Sequence, residues 1–311
     1  MRVAVFGAGG VGGYFGGRLA QAGEDVVFIA RGEHLRAIQS NGLRVDSIKG
    51  DFHVQPAQAT DDPRRVGVVD AILVAVKAWQ VAEAARAMRP LVGPSTFVVP
   101  LQNGVDAPYE LIDALGAGHT LGGLCRISAL IAAPGHIRHV GVEPYIAFGE
   151  LDRGPSERSE LLRAVFERAG VQVEVPADIH VALWEKFVFI AAISGVGGVA
   201  RSPLGVLRSV PETRQMLAKA MQEIVAVAKA RGVNLSPGLV ARTLAFIDGS
   251  PFGVNASMQR DITEGRPSEL HYQNGAVVRM GRKLGVPTPV NACIFASLLP
   301  QEMRARGELQ Y

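Results

Sequence analysis

The hydrophobic pattern in the first half of the chain alternates between strand-like and helix-like periods. An apolar run, Val3 to Phe6, opens the sequence, and a segment with helical spacing follows it. Val69 to Lys77 is almost continuously apolar, which is typical of a parallel strand buried on both faces. A helix is predicted from Ser156 to Gly170, because a serine cap opens it and a glycine closes it. Further strands are predicted in the segments 24–31, 95–105, 119–132, 136–141 and 143–150, and the alternation as a whole predicts a doubly wound α/β domain.

From about Asp178 the chain changes to helical spacing. Helices are predicted in the segments 179–195, 211–232, 236–248 and 269–285, and prolines separate them. The two patterns together predict an α/β domain over residues 1–176 and an all-helical domain over residues 177–311. The longest apolar run, Phe187 to Ala200, is short for a bilayer span and contains glycines, so we expect a buried helix and no membrane partner.

Glycines are concentrated directly after the first predicted strand. Gly7, Gly9 and Gly12 follow the order G-x-G-x-x-G, with a predicted strand before them and a predicted helix after them. Such a turn presents backbone N–H groups to a phosphate, and any Cβ would hold a pyrophosphate away or collide with the strand. We therefore predict a dinucleotide-binding loop, formed by Gly7, Ala8, Gly9, Gly10, Val11 and Gly12.

The end of the second predicted strand indicates which dinucleotide the loop would bind. Sites selective for NAD usually carry an acidic residue there, which holds the ribose 2′-hydroxyl. Here the strand ends at Arg31, and a guanidinium can bind a 2′-phosphate through paired charged hydrogen bonds. His34 lies close enough in sequence to add a contact. The pattern favours NADP(H), and the alternative is an ordinary surface arginine.

Composition narrows the class of protein. Of 311 residues, 48% are hydrophobic, which is enough for a substantial core, and the formal net charge is only +3. This charge is spread along the chain, so nucleic acid is not an expected partner, whereas a polyanionic cofactor suits it. Cys125 and Cys293 lie far apart in apolar segments and are predicted to be reduced core residues of a cytoplasmic protein. His136 and His139 lie in a strand-like run without a carboxylate-rich set, so we expect exposed strand histidines and no metal site.

Five short segments, in this order, resemble one known family. They are GAGGVG at the N-terminus, VKAWQ with Lys77, LQNGV with Asn103, LWEKF with Lys186, and ASMQRDITEGRPSELHYQNG over residues 256–275. Together they resemble the ketopantoate reductases, also called 2-dehydropantoate 2-reductases, over nearly the whole chain. The resemblance implies a Rossmann-type domain followed by a helical domain. It also implies reduction of ketopantoate to pantoate by NADPH, a step of pantothenate and coenzyme A biosynthesis.

The resemblance assigns the catalytic role to Lys186, as the proton donor to the alkoxide that forms on hydride transfer. Such a carbonyl needs a nearby acid and a positive charge, and an ammonium group supplies both. The alternative is a solvated lysine, which the apolar neighbours Leu183 and Trp184 make a weaker interpretation. Partial burial would also lower the pKa of Lys186 towards neutrality.

Four more residues match family positions that contact cofactor or substrate. Asn103 would position both ligands, although Asn-Gly is also a common turn dipeptide. Lys77 would contact the cofactor at the carboxyl end of a strand, or it is a plain loop lysine. Ser257 would bind the substrate carboxylate, or it caps a helix. Glu269 would lie near the cofactor and Lys186, or it is a first-turn acid favoured by the helix dipole.

The chain departs from the family at three positions. The family typically carries asparagines four and eight residues after the catalytic lysine, where this chain has Ile190 and Ser194. A third asparagine commonly follows a proline, and here Leu204 follows Pro203. Because helix positions four apart share a face, Ile190 and Ser194 are predicted to line the substrate pocket with Lys186 and to make it less polar.

These departures leave the substrate open. The leading interpretation is an NADPH-dependent reductase of 2-oxo acids, with ketopantoate as the default substrate. An alternative is a reductase of a less polar ketone or imine on the same scaffold. A third interpretation, a non-catalytic NADP-binding regulator, is disfavoured because Lys186 and Glu269 are both retained. In each case the partner is a small molecule, and a homodimer is left open.

Overall fold

The chain divides into two compact units. The computed structural model describes residues 1–152 and 154–310. The first unit comprises residues 1–102 and 107–179, and the second comprises residues 103–106 and the chain from residue 180 onward. The short segment 103–106 therefore groups with the helical unit, although it lies far from that unit in sequence. The domain boundary between residues 176 and 177 stays a prediction.

The first unit contains all strands of the described chain and five of its α-helices. The strands are β1 (Arg2–Phe6), β2 (Asp25–Ile29), β3 (Leu43–Ser47), β4 (Phe52–Val54), β5 (Gln58–Thr60), β6 (Val69–Val74), β7 (Val92–Pro100), β8 (Leu121–Arg126), β9 (Ala129–Ala133), β10 (His136–His139), β11 (Tyr145–Glu150) and β12 (Gln172–Glu174). The helices are α1 (Gly10–Gln21), α2 (Gly32–Asn41), α3 (Val81–Ala87), α4 (Ala107–Leu115) and α5 (Glu157–Arg168). Helix α5 begins and ends as predicted, since the Ser156 side chain accepts a hydrogen bond from the Ser159 N–H and Gly170 follows with φ of 68°.

A parallel sheet of five strands forms the centre of the first unit, in the order β5-β2-β1-β6-β7. Strand β1 is buried on both faces. Val3 and Val5 belong to one apolar cluster, whereas Ala4 and Phe6 belong to another. Since successive side chains of a strand point to opposite faces, this division confirms the predicted doubly wound α/β core.

The strands predicted between residues 119 and 150 lie outside the central sheet. Strands β9 and β10 pair antiparallel in the sheet β4-β3-β10-β9, and β8 and β11 pair antiparallel in the sheet β12-β11-β8. The first of these sheets packs on the start of α1: a Cβ at Gly10 would collide with the Ala129 carbonyl, and one at Gly13 would lie 2.8 Å from Ile137 Cγ1. Gly10 and Gly13 of α1 are therefore needed for close packing against this sheet.

Two expectations about single side chains were wrong. His139 is only 1% exposed, because β10 is an interior strand, and its ring lies 4.8 Å from the Tyr14 ring of α1. Its Nδ1 is 2.8 Å from the Ser47 hydroxyl, so it has a structural role in the sheet. Cys125 is buried as expected, but Cys293 is exposed. Apolar neighbours on a helix do not place every residue of that helix on its buried face.

The second unit is helical, as predicted. Its helices are α6 (Ile179–Ala200), α7 (Leu204–Ser209), α8 (Pro211–Ala230), α9 (Leu239–Gly249), α10 (Ser257–Thr263), α11 (Asn274–Leu284) and α12 (Pro289–Ala305). Helix α6 is long and apolar enough to cross a membrane by length and composition, but 61% of its apolar window is buried, as in a core helix of a folded unit. Glycines let its neighbours approach closely, since a Cβ at Gly195 would lie 2.6 Å from the Asn274 amide. The predicted helix 269–285 begins only at Asn274, after a single 3₁₀ turn over residues 270–272.

Candidate functional site

The glycine-rich loop after β1 has the geometry that its sequence predicts. Gly7 has φ of 100°, a region that favours glycine, and a Cβ there would lie 2.8 Å from the Val76 nitrogen. A Cβ on Gly12 would collide with the Gly7 carbonyl oxygen. The end of β1, the start of α1 and the end of β6 can therefore meet only because both positions lack a side chain.

The start of α1 is open to an anion. Gly9 is the N-cap residue, no side chain caps the helix, and its first turn holds no acidic residue. A Cβ on Gly9 would meet nothing within 4 Å, so the approach to this helix end is clear. The first N–H groups of a helix have no intrahelical partners and carry positive dipole charge. The loop, with Ala8 buried and Val11 half-buried, thus fits a dinucleotide pyrophosphate.

His34 has a structural partner at each ring nitrogen. Its Nε2 lies 2.7 Å from the Ala8 carbonyl oxygen, and its Nδ1 accepts a hydrogen bond of 3.0 Å from the Gly135 N–H. A neutral ring that donates from Nε2 satisfies both contacts. Burial lowers the pKa of His34, with the Ala8 hydrogen bond opposing that shift. In the described structure the residue links the glycine loop to the β9–β10 turn. Its contact with the cofactor stays a prediction.

Two cations lie at the carboxyl end of the central sheet. Arg31 follows β2 as the N-cap residue of α2, and its guanidinium Nη2 lies 3.2 Å from Glu83 Oε1 on α3. Lys77 follows β6, and its ammonium lies 5.7 Å from the centre of the Trp79 ring. Ligands of doubly wound sheets bind at this edge, so both cations are placed where a polyanionic cofactor would reach them. Sequence reasoning missed Glu83, whose place at the edge follows from the strand order.

Asn103 and Glu269 meet in the second unit. The Asn103 amide Nδ2 donates to Glu269 Oε2 over 3.4 Å, although the residues are 166 positions apart. Gly104, with φ of 110°, makes the approach possible, because a Cβ there would lie 2.9 Å from the Tyr272 carbonyl oxygen. Glu269 is only 5% exposed and precedes the 3₁₀ turn, so it is not a first-turn acid of α11. Arg279 stabilises the same segment through an ion pair, in which its Nη2 lies 2.7 Å from Asp106 Oδ2.

Helix α6 carries three of the predicted residues. Lys186 and Ile190 are half-buried, whereas Ser194 is fully buried. Steps of four residues rotate by about 40° on a helix, so Ser194 is turned about 80° from Lys186 towards the interior. The Ser194 hydroxyl has no hydrogen-bond partner among the described residues. Leu204, at the start of α7, is also buried. Substrate contact by Ile190 and by Ser194 stays a prediction.

Ser257 is half-buried at the first position of α10. The N-cap residue is Ala256, and no side chain caps this helix, so the capping interpretation of Ser257 was wrong. Its hydroxyl is therefore not committed to the helix start, and its predicted role at a substrate carboxylate stays a prediction.

Gln273 was not foreseen from the sequence. The residue is fully buried directly before α11, and neither atom of its side-chain amide has a hydrogen-bond partner among the described residues. Its backbone N–H donates to the Glu269 carbonyl over 3.0 Å, which holds it one short turn from that carboxylate. Buried amides are normally paired, so an unpaired one beside a candidate site is a feature that only the fold could reveal.

Two family models match the chain. Residues 3–153 match the model described as Ketopantoate reductase PanE/ApbA, and residues 178–302 match the model of its C-terminal part. A 2-dehydropantoate 2-reductase of Mesorhizobium japonicum is 31% identical, and the match covers 95% of this chain and 96% of that protein. The chain belongs to the ketopantoate reductase family. The resemblance inferred from the five sequence segments is thereby confirmed.

Other ketopantoate reductase relatives agree with the fold and the reaction class. An uncharacterized oxidoreductase of Bacillus subtilis, YkpB, is 30% identical over 96% of this chain and 98% of its own. The crystal structure of a PanE/ApbA family ketopantoate reductase from Ralstonia eutropha is 33% identical, with a TM-score of 0.90, over 98% of this chain and 100% of that one. These matches support an oxidoreductase with a Rossmann-type domain and a helical domain.

In this ketopantoate reductase family member, the candidate dinucleotide loop over residues 7–12 has space at its backbone, and Arg31 and Lys77 lie at the same sheet edge. Cofactor binding by these residues stays a prediction. A D-mandelate dehydrogenase solved with NADH has the same fold, with a TM-score of 0.89 at 23% identity. Among the described residues, no group of three or more His, Cys, Asp or Glu side chains could hold a metal ion.

Proposed function

We propose that this ketopantoate reductase family member reduces a 2-oxo acid with NADPH, and that ketopantoate is its default substrate and pantoate its product. The observation that carries the proposal is Lys186, a half-buried lysine on the apolar helix α6 of a family oxidoreductase. Leu183, Trp184 and Phe187 around it are buried, so the helix gives this lysine few polar neighbours in sequence. A lysine in such surroundings is better explained as a proton donor than as an ordinary solvated surface lysine.

In the proposed reduction, the cofactor donates the hydride and Lys186 donates the proton. When bound, the nicotinamide supplies the hydride that adds to the keto carbon. Lys186 Nζ donates a proton to the former carbonyl oxygen as it gains negative charge, which completes the hydroxyl group. The ammonium also stabilises that developing charge before the proton moves. Lys186 then regains a proton from solvent, and the oxidised cofactor and the 2-hydroxy acid leave.

Asn103 and Glu269 prepare this site. Glu269 accepts from the Asn103 side-chain N–H, which fixes the orientation of that amide and directs its carbonyl oxygen elsewhere. We propose that Asn103 uses this orientation to position cofactor and substrate. The hydroxyl of Ser257, which caps no helix, would bind the substrate carboxylate. A non-catalytic NADP-binding regulator would need neither a proton donor nor an oriented amide.

The test is the oxidation of NADPH by purified protein with ketopantoate, followed by absorbance. Lys186→Ala is expected to lower turnover by about 10²–10⁴-fold, the range for loss of a general acid, while NADPH binding is kept. Lys219→Ala, which removes an exposed lysine on α8, is the matched control and should leave turnover unchanged. Near-normal turnover of folded Lys186→Ala protein would place the proton donor elsewhere, with Lys77 tested next.

A second substrate class is favoured by one observation. Ile190 is half-buried one turn from Lys186, where the family usually has an amide side chain. An apolar wall there would discriminate poorly between ketopantoate and 2-oxoisovalerate, which lacks the 4-hydroxyl group. Ile190→Asn should then raise the kcat/KM ratio for ketopantoate over 2-oxoisovalerate by roughly tenfold, as one buried hydrogen bond allows.

The control for this comparison is Val181→Asn, a half-buried position on the opposite side of α6. It introduces the same amide without facing Lys186, so the substrate ratio should not change. A strong preference of the unaltered protein for ketopantoate over 2-oxoisovalerate would contradict the apolar wall and restore the ordinary family substrate.

A further inference from the structure

Arg31 has a carboxylate partner that the family resemblance does not assign. Its Nη2 lies 3.2 Å from Glu83 Oε1, and the two residues are 52 positions apart in the chain. Their side chains are 70% and 64% exposed. Exposed ion pairs of this kind contribute between nothing and about 1 kcal/mol to stability, so the pair does little to hold α2 and α3 in place.

The pair lies at the edge of the sheet where the dinucleotide would bind. Strands β2 and β6 flank β1 in the parallel sheet, and all three end on the same side as the glycine loop. Arg31 lies two residues after the end of β2, and Glu83 lies in the first turn of α3, shortly after β6. A 2′-phosphate that reached Arg31 would therefore meet a guanidinium already engaged by a carboxylate.

We propose that Glu83 is a specificity-determining residue for the cofactor, because it competes with the 2′-phosphate for Arg31. This inference rests on the proposed use of NADPH and on Arg31 as the group that recognises the phosphate. NADPH must displace Glu83 from the guanidinium, whereas NADH has no 2′-phosphate and leaves the pair intact. Glu83 thus narrows the difference in affinity between the two cofactors.

The competition has a defined energetic limit. What NADPH loses is the strength of one exposed ion pair, and that corresponds to at most about a fivefold change in affinity. The 2′-phosphate is still expected to displace Glu83 from Arg31, because a dianion can accept two guanidinium hydrogen bonds. The protein is therefore expected to prefer NADPH over NADH by less than Arg31 alone would allow.

The experiment measures dissociation constants of NADPH and NADH for the full-length protein by titration calorimetry. The variants are Arg31→Ala, Glu83→Gln and the double variant, with Glu33→Gln as the matched control. Glu33 is an exposed glutamate in the first turn of α2, two positions from Arg31, so its removal changes the same charge nearby. Both Glu→Gln changes lie on the surface and should leave the fold intact.

Glu83→Gln is expected to tighten NADPH by about two- to fivefold relative to NADH, and Glu33→Gln to change that ratio by less. The effect of Glu83→Gln should vanish when Arg31 is already alanine, because nothing is left to compete for. An effect that persists in the Arg31→Ala background, or an equal effect of Glu33→Gln, would overturn the competition.

The same titrations separate this inference from the proposed function. If Arg31→Ala weakens NADPH binding about tenfold and Glu83→Gln has no effect, the proposed role of Glu83 is wrong. Recognition of NADPH by Arg31 would still be supported. Arg31→Ala that weakens NADPH and NADH equally would instead show that Arg31 does not read the phosphate, and the NADPH assignment would fall with it.

Discussion

The glycine loop at the start of α1 and the surroundings of Glu269, the two candidate binding regions, are built in different ways. The loop uses backbone atoms of consecutive residues, and its shape follows from positions that carry no side chain. The surroundings of Glu269 depend on side chains from distant parts of the chain, since Asn103 donates to Glu269 across 166 positions. A backbone-built site is robust to most substitutions and intolerant of a single Cβ, whereas a side-chain-built site can change substrate by a few exchanges.

The largest expected effect tests the backbone-built region. Gly12→Ala should destabilise the protein by about 3 kcal/mol or more and abolish dinucleotide binding, because its Cβ meets the backbone carbonyl of Gly7 in a packed region. The measurement is the free energy of unfolding in urea, together with NADPH titration.

Gly9→Ala is the matched control, since a Cβ at Gly9 meets nothing within 4 Å. It should keep the stability of the unaltered protein and weaken only the dinucleotide, whose pyrophosphate needs that space. Equal loss of stability in the two variants would mean that the loop is not held by contact between Gly12 and Gly7.

The second effect tests the side-chain-built region through its buried hydroxyls. Ser268 donates to Glu302 Oε2 over 2.5 Å, and Glu302 is only 1% exposed. Ser268→Ala should lower the free energy of unfolding by roughly 1.5–3 kcal/mol, because a buried carboxylate loses a charge-assisted hydrogen bond. Ser194→Ala should be neutral or slightly stabilising, since the Ser194 hydroxyl has no partner among the described residues. Comparable losses in both would show that Ser194 is hydrogen-bonded in solution.

The same contrast explains what the sequence could predict. Strand β1, the helix that follows the glycine loop, and helix α5 obey local rules of spacing, capping and turn chemistry, so these elements were predicted correctly. Short strands such as β5 carry no clear pattern over three residues, and their pairing depends on the neighbouring strand. The pairs Arg31–Glu83 and Asn103–Glu269 join residues 52 and 166 positions apart, and no local signal marks them. No local signal in the sequence marks the buried amide of Gln273 either.

A third, smaller effect tests whether Asn103 and Glu269 act together. Their 3.4 Å contact is long, so the coupling free energy between Asn103→Ala and Glu269→Gln should be about 0.5–1.5 kcal/mol in urea unfolding. A cycle with Asn255→Ala, an exposed asparagine near α10, is the control and should show no coupling to Glu269→Gln. Additive effects of Asn103→Ala and Glu269→Gln would mean that the amide is oriented by something other than Glu269.

The smallest expected effect returns to the glycine loop, through the His34 side chain that contacts the Ala8 carbonyl. The pKa of His34 in the folded protein lies below its ordinary value of 6.5, because burial disfavours the charged ring. Folding therefore favours the neutral form, and this contribution is complete above pH 6.5 and is lost as pH falls from there through the lower folded pKa. Protonated Nδ1 could no longer accept from the Gly135 N–H, so one hydrogen bond, roughly 1 kcal/mol, is at stake.

The measurement compares urea unfolding of the unaltered protein and of His34→Gln from pH 5 to pH 8. Glutamine does not titrate in this range, so the difference in stability between the two proteins isolates the imidazole. We expect that difference to favour histidine above pH 6.5 and to shrink as the solution becomes more acidic, with NADPH affinity falling in parallel because Ala8 and the loop lose their tether. A difference that grows on acidification would mean that His34 is charged in the folded protein, and its place would then be with the cations that face the cofactor.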